Sequence, residues 1–134
     1  ISLKIEGGDV YYGTTFGSSD WLDSIMSLCD YGHRGVPNVF LTAPLQTYNE
    51  KKGQGVWNAA HFSNSQYDSL VNQYIGAIDL QSQKTYAKQI ETLLLDETPI
   101  IFAYFYNYLA AAKKNVQGLR VSAMSQIWPD QVTL

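Results

Sequence analysis

The sequence predicts an α/β domain in which a mixed sheet is flanked by helices. Three observations favour this class. Two neighbouring segments carry apolar residues at spacings of three and four, residues 100–106 are apolar at nearly every position, and residues 2–5 alternate polar and apolar side chains. With 134 residues, 46% of them hydrophobic and 16% charged, the chain suits one domain with a sizeable core.

The N-terminal part of the chain predicts two short strands. Residues 2–5 form the first, and a loop rich in Gly, Ser and Thr follows at residues 13–20. Residues 21–31 are compatible with a helix or a buried strand. We favour a strand that ends near Asp30, because glycines and Pro37 follow at once.

A short helix and an exposed loop come next. Residues 38–46 are compatible with a helix that Pro44 limits. Residues 47–56 contain two glycines, an asparagine and two lysines, a composition typical of an exposed loop.

The elements that the sequence predicts most clearly are two consecutive helices and the strand after them. Ser65 and Asp68 have the spacing of a capping box, and Asp79 is a plausible N-cap for the second helix. Pro99 ends the second helix, since the residue before a proline is disfavoured in the helical region. Residues 100–106 then predict a strand covered on both faces. The two apolar stripes are Tyr67, Leu70, Val71, Tyr74, Ile75 and Ile78, then Leu80, Gln83, Tyr86, Ala87, Ile90, Leu93 and Leu94.

Charge and cysteine content exclude some functional classes. A net charge of −3 argues against a nucleic-acid binder, which needs a basic surface. The single cysteine, Cys29, excludes an intramolecular disulfide. No phosphate-binding loop or dinucleotide fingerprint is present, so we expect no cofactor. The chain shows no signal peptide and no initial Met, and we expect it to be a piece of a longer protein.

Cys29 supports an alternative, catalytic interpretation. A small hydrolase would use this thiol as nucleophile with His33 or His61 as base, but such a site also needs an orienting group and an oxyanion hole. The spacing of the three residues matches no compact zinc pattern. A buried, inert cysteine is the more common outcome beside an apolar run.

A binding interpretation rests on Asp30, Tyr31 and Arg34, which follow the expected strand. Strand ends line ligand crevices in α/β sheets. A carboxylate there can hold an ammonium group, and an arginine can hold a carboxylate. An internal Asp30–Arg34 ion pair that only shapes the loop explains the same residues equally well.

Trp57 and Asn58 form the second binding candidate. An asparagine amide offers a donor and an acceptor that match a peptide backbone, and an indole ring offers a flat wall. The alternative is a loop in which Trp57 covers the core and Asn58 holds a turn.

Several motifs together resemble the C-terminal portion of family 5 extracellular solute-binding proteins, the peptide- and nickel-type binding components of ABC importers. Each motif is weak alone, and their order and spacing carry the resemblance. The motifs are residues 30–41 with their acidic–aromatic pair and proline, Trp57-Asn58, residues 62–70, the Gln-, Ala- and Leu-rich residues 79–94, the acidic-x-Pro entry at residues 96–101, and the turn at residues 116–119.

The resemblance implies one lobe of a two-lobed, periplasmic-binding-protein-like fold, with residues from about 116 to 134 in the hinge or the other lobe. It implies an extracytoplasmic protein, periplasmic or lipid-anchored. Such a protein captures a peptide or another small solute, such as a nickel chelate, a sugar or an opine, and delivers it to the membrane permease subunits without catalysis. We expect a monomer that binds weakly by itself.

The resemblance also bears on the site residues. Asp30 matches the position of the carboxylate that some members use for the ligand's amino terminus. Residues 33–36 depart from the shorter acidic run of those members, which makes Arg34 a rival contact for an anionic group. Trp57 and Asn58 fall in a loop that faces the cleft.

Overall fold

The computed structural model describes residues 2–13, 17–32, 34–105, 107, 109–122 and 126–133. The chain forms two compact units. The first comprises Ile1–Asp30 and Val36–Ile101, and the second comprises Tyr31–Gly35 and Phe102–Leu134. The second unit therefore contains all of residues 116–134, whose assignment to a hinge or another lobe stays a prediction.

Five α-helices lie in the described residues of the first unit. Three are short: α1 at Gly8–Tyr11, α2 at Asp20–Asp23 and α3 at Asn38–Thr42. A 3₁₀ turn at Glu50–Lys52 precedes the long pair, α4 at Ser65–Gly76 and α5 at Leu80–Glu97. The predicted helix at residues 38–46 is confirmed in its first part.

The start of α4 corrects one detail of the prediction. The N-cap is Asn64, not Ser65: Asn64 Oδ1 accepts hydrogen bonds from the N–H groups of Gln66 and Tyr67, at 2.9 and 3.0 Å. Asparagine is as good a cap as serine. Asp68 therefore does not take the role expected of it in a capping box. Its Oδ1 instead accepts a hydrogen bond from Thr47 N–H at 3.0 Å.

Both predicted boundaries of α5 are confirmed. Asp79 is the N-cap, and its carboxylate accepts from Ser82 N–H at 2.8 Å. The helix ends at Glu97, and Thr98 takes a left-handed conformation with φ of 49° just before Pro99.

The core of the first unit lies between α4 and α5. Tyr67 is fully buried at its centre, and its hydroxyl donates to the Leu41 carbonyl at 2.8 Å, which ties α4 to α3. The predicted stripes supply every buried member of this cluster except Leu45, whereas the stripe residues Ile78 and Leu80 at the α4–α5 connection are exposed. The buried members of the cluster are Leu45, Tyr67, Leu70, Val71, Ile90 and Leu93.

Three expected strands are not formed in the described residues. Residues 2–5, 25–30 and 100–105 lie outside helices and strands, and Tyr106 at the end of the third segment lies outside the described residues. Ile25, Phe102 and Phe105 are largely exposed. An extended segment becomes a strand only when a neighbouring strand satisfies its backbone groups, and these segments have no such neighbour within the described residues. The mixed sheet of a binding-protein lobe stays a prediction.

The second unit contains a small antiparallel sheet. Strand β1 at Arg120–Val121 pairs with β2 at Ile127–Trp128, with Arg120 opposite Trp128. The Arg120 guanidinium lies 5.2 Å from the centre of the Trp128 ring, a cation–π distance. A 3₁₀ turn at Pro129–Gln131 follows β2.

Candidate functional site

Asn58 lies in the loop between α3 and α4, and its side chain makes the hydrogen bonds that hold two parts of this loop together. Its side chain is 1% exposed. Its Nδ2 donates to the Phe62 carbonyl at 2.7 Å and to the Gln46 carbonyl at 3.1 Å, and its Oδ1 accepts from Phe62 N–H at 2.9 Å. One amide thus joins two chain segments, residues 46–48 and 61–63, that face each other across the loop.

The first of these segments is held in place by a tight backbone approach. Gly55 has φ of 64°, and its N–H donates to the Thr42 carbonyl at 3.0 Å. A Cβ at this position would lie 2.4 Å from the Gln46 carbonyl oxygen and 2.7 Å from Tyr48 Cα. Only glycine combines this backbone angle with such close contacts.

The second segment contains a residue in an uncommon conformation. His61 has φ of 50°, which is rare for a residue other than glycine. Its ring Nε2 donates to the Leu22 carbonyl at 2.9 Å, so the loop is connected to α2. Phe62 packs edge-on against Tyr67, with ring centroids 5.6 Å apart, which connects the same segment to the core.

A cavity of about 290 Å³ lies between the two segments. We call it the 47–63 cavity, and its lining residues are Thr47, Tyr48, Asn58, His61, Phe62 and Ser63. Thr47 and Ser63 contribute hydroxyls 3.4 Å apart, and Tyr48, His61 and Phe62 contribute rings. Hydroxyl and aromatic groups can bind a neutral ligand through hydrogen bonds and ring packing.

A second, larger cavity of about 600 Å³ follows the outer face of α5. Its charged lining residues are Lys88, Asp96 and Glu97. Most of its lining side chains project from a single exposed helix face, so the groove depends on long, solvated side chains. The 47–63 cavity instead has walls that Asn58 joins by hydrogen bonds, and we take it as the candidate site.

Asp30, the predicted carboxylate contact, is engaged with Tyr12. The Tyr12 hydroxyl donates to Asp30 Oδ1 at 2.7 Å and accepts from Asp30 N–H at 3.0 Å. Burial, followed by the hydrogen bond to the Asp30 carboxylate, raises the pKa of Tyr12 to about 12. Tyr12 therefore stays a hydrogen-bond donor at neutral pH, and a ligand ammonium would share the Asp30 carboxylate with it.

The other predicted contacts fall in different parts of the chain. Arg34 is exposed in the second unit, where its Nη1 donates to the Gly32 carbonyl at 2.8 Å, and Tyr31 is half-buried in the same segment. Trp57 is half-buried in the first unit beside Asn58, and its backbone N–H donates to the Ala43 carbonyl at 2.9 Å. Of the five predicted residues, only Asn58 lines the 47–63 cavity. Ligand contact by any of the five stays a prediction.

Asn58 has little capacity left for a ligand. Both hydrogens of its amide nitrogen are donated inside the loop, and one lone pair of Oδ1 is used as well. The interpretation in which Asn58 holds the turn accounts for these contacts. A ligand could reach Asn58 only through the second lone pair of Oδ1.

The alternative thiol site stays a hypothesis. Cys29 is half-buried, and His33 lies outside the described residues. The described residues contain no group of three or more His, Cys, Asp or Glu side chains arranged to hold a metal ion. Within the same residues, no helix combines the length and the apolar character needed to cross a membrane.

Sequence reasoning missed most of the lining residues. Tyr48 lies in a stretch whose Gly, Asn and Lys content predicts only an exposed loop, and the sequence offers His61 only as a base or a metal ligand. The available signal is a tyrosine in the same loop as two glycines, followed by the 57–62 stretch with its three ring-bearing residues. No local pattern indicates that these two stretches face each other.

Comparison with known proteins gives one partial similarity. Over 62 residues, 46% of the chain, the sequence is 34% identical to the dipeptide-binding protein DppE of Bacillus subtilis (strain 168). The matched region spans 11% of the length of that protein. No protein-family description matches the chain, and no solved structure matches it.

Proposed function

We propose that the chain belongs to the substrate-binding component of an ABC importer of the peptide type. It would capture a peptide or a similar small solute outside the cytoplasm and deliver it to the permease subunits in the membrane, without catalysis. The observation that carries the proposal is the similarity of 62 residues to a dipeptide-binding protein.

The chemistry of the 47–63 cavity supports the binding of a small neutral ligand group. Its lining offers hydroxyls, an imidazole and two aromatic rings. Both amide hydrogens of Asn58 are donated within the loop, and these hydrogen bonds hold the cavity walls in place before a ligand binds. Preorganised walls reduce the entropic cost of binding.

A two-lobed arrangement would give this chain only part of the ligand contacts. In such a protein both halves enclose the ligand, and closure supplies much of the affinity. We therefore expect the chain alone to bind dipeptides with a Kd on the order of 1 mM, which corresponds to about −4 kcal/mol.

Ligand-observed NMR suits such weak binding. Saturation-transfer difference spectra of alanyl-alanine should show transfer from the 134-residue chain and displacement by excess alanyl-phenylalanine. Glucose at the same concentration is the control and should show none. Equal signals for glucose and the dipeptide, or none for either, would contradict the proposal.

A further inference from the structure

We infer that the 47–63 cavity holds one uncharged aromatic side chain of a peptide ligand. The inference rests on the proposed peptide-binding function and adds a side-chain preference to it. It assigns the contact to Tyr48, His61 and Phe62, none of which the sequence motifs identify as ligand residues.

The size of the cavity limits the ligand group. Cavities that enclose whole small ligands span about 300–1,000 Å³. The 47–63 cavity, at about 290 Å³, lies just below this range. It therefore has room for one bulky side chain, while the peptide backbone stays at the opening.

The lining favours a neutral ring. Tyr48 and Phe62 offer ring faces or edges, and aromatic pairs of this kind gain energy beyond area burial. Among the lining residues in the described part of the chain, none is Asp, Glu, Lys or Arg. A charged ligand side chain would lose hydration there without finding an opposite charge.

The walls are fixed before binding. Asn58 joins residues 46 and 62 across the cavity, and Thr47 N–H is held separately by Asp68 at 3.0 Å. His61 keeps its positive φ, and strained backbone of this kind persists where the surrounding contacts maintain it, often at ligand sites. A preformed cavity discriminates between side chains better than a surface that collapses when empty.

The test compares two dipeptides that differ by one ring. Amide-shift titrations give Kd for alanyl-alanine and alanyl-phenylalanine with the wild-type chain, with Tyr48→Ala and with Tyr104→Ala. We expect the wild type to bind alanyl-phenylalanine roughly three- to tenfold more tightly, from the usual strength of aromatic pairs. Tyr48→Ala should reduce this ratio to below about twofold. Tyr48 and Tyr104 are both exposed, so both variants should fold.

Tyr104→Ala is the control, because it removes an exposed tyrosine that does not line the cavity, and it should keep the wild-type ratio. An unchanged ratio in Tyr48→Ala, or equal affinities in the wild type, would overturn the inference and leave peptide binding standing. Failure of the wild type to bind either dipeptide would overturn the proposed function and the inference together.

Discussion

Asn58 holds Phe62 through a reciprocal pair of hydrogen bonds, in which Oδ1 accepts from Phe62 N–H at 2.9 Å and Nδ2 donates to the Phe62 carbonyl at 2.7 Å. The pair closes a turn between Asn58 and Phe62. The remaining hydrogen of Nδ2 reaches Gln46, twelve residues earlier in the chain. One buried amide therefore fixes both walls of the 47–63 cavity.

Removing this amide should destabilise the first unit. Asn58→Ala removes the side-chain partner of three backbone groups, one on buried Gln46 and two on half-buried Phe62. Each unsatisfied buried group costs about 1–3 kcal/mol, so we expect a loss of roughly 3 kcal/mol after relaxation and water entry. Urea unfolding followed by circular dichroism measures it. Asn107→Ala, at an exposed position, is the control and should change stability by less than about 0.5 kcal/mol. Similar values for the two variants would refute the role of Asn58.

Gly55 and Gly53 offer a matched pair of substitutions. Both have a positive φ, 64° and 63°, but a Cβ at Gly55 would meet backbone atoms at 2.4 Å whereas one at Gly53 meets nothing within 4 Å. Gly53→Ala should cost about 1 kcal/mol, from the backbone angle alone. Gly55→Ala should cost clearly more, because the Gln46 and Tyr48 backbone must move. Thermal unfolding of both variants measures the two losses of stability. Equal losses would mean that the backbone of Gly55 does not approach Gln46 and Tyr48 closely in solution.

The cap of α4 can be tested by comparing two neighbours. Asn64→Ala removes the acceptor for Gln66 and Tyr67 N–H and should cost about 1 kcal/mol. Ser65→Ala should stay within about 0.5 kcal/mol, since Ser65 is already the first helical residue. Chemical denaturation at pH 7 measures both. A larger loss for Ser65→Ala would restore the capping box expected from the sequence.

The cap of α5 should add a pH dependence to stability. Hydrogen bonds from the Ser82 side chain and then from its backbone lower the pKa of Asp79 below its ordinary value of 3.8. Because the pKa is lower in the folded state, the stabilisation is present above pH 3.8 and is lost as the pH falls through the folded-state pKa.

The matched variant for this effect is Asp79→Asn, because asparagine caps equally well and does not titrate. Unfolding free energies at pH 7 and near pH 2–3 should differ less in Asp79→Asn than in the wild type. Identical pH profiles for the two proteins would exclude a contribution from the Asp79 carboxylate.

Helices α4 and α5 could be predicted from the sequence, and α3 in part, whereas α1, α2 and the sheet could not. Asp79, Pro99 and the two apolar stripes, one through Tyr67 and one through Ile90, are local signals, because a helix satisfies its own backbone within four residues. A strand depends on a partner elsewhere in the chain. The apolar character of residues 100–105 is real, but it does not specify which segment covers them.

The candidate site can likewise be predicted only where its sequence signal is local. Asn58 could be singled out from its residue type, but its role depends on Gln46 and Phe62, whose approach is a property of the folded loop. Tyr48 lies in a stretch whose composition indicates only a loop. The sequence predicts that Asp30 meets a ligand ammonium, but no sequence pattern connects Asp30 to Tyr12, whose hydroxyl donates to its carboxylate.

Mapping backbone amide shifts during an alanyl-phenylalanine titration shows directly whether dipeptides bind in the 47–63 cavity. We expect binding there, with the largest saturable shifts on residues 47–48 and 58–63. Shifts concentrated instead on residues 85–97, along the larger groove of α5, or no saturable shifts at all, would contradict it.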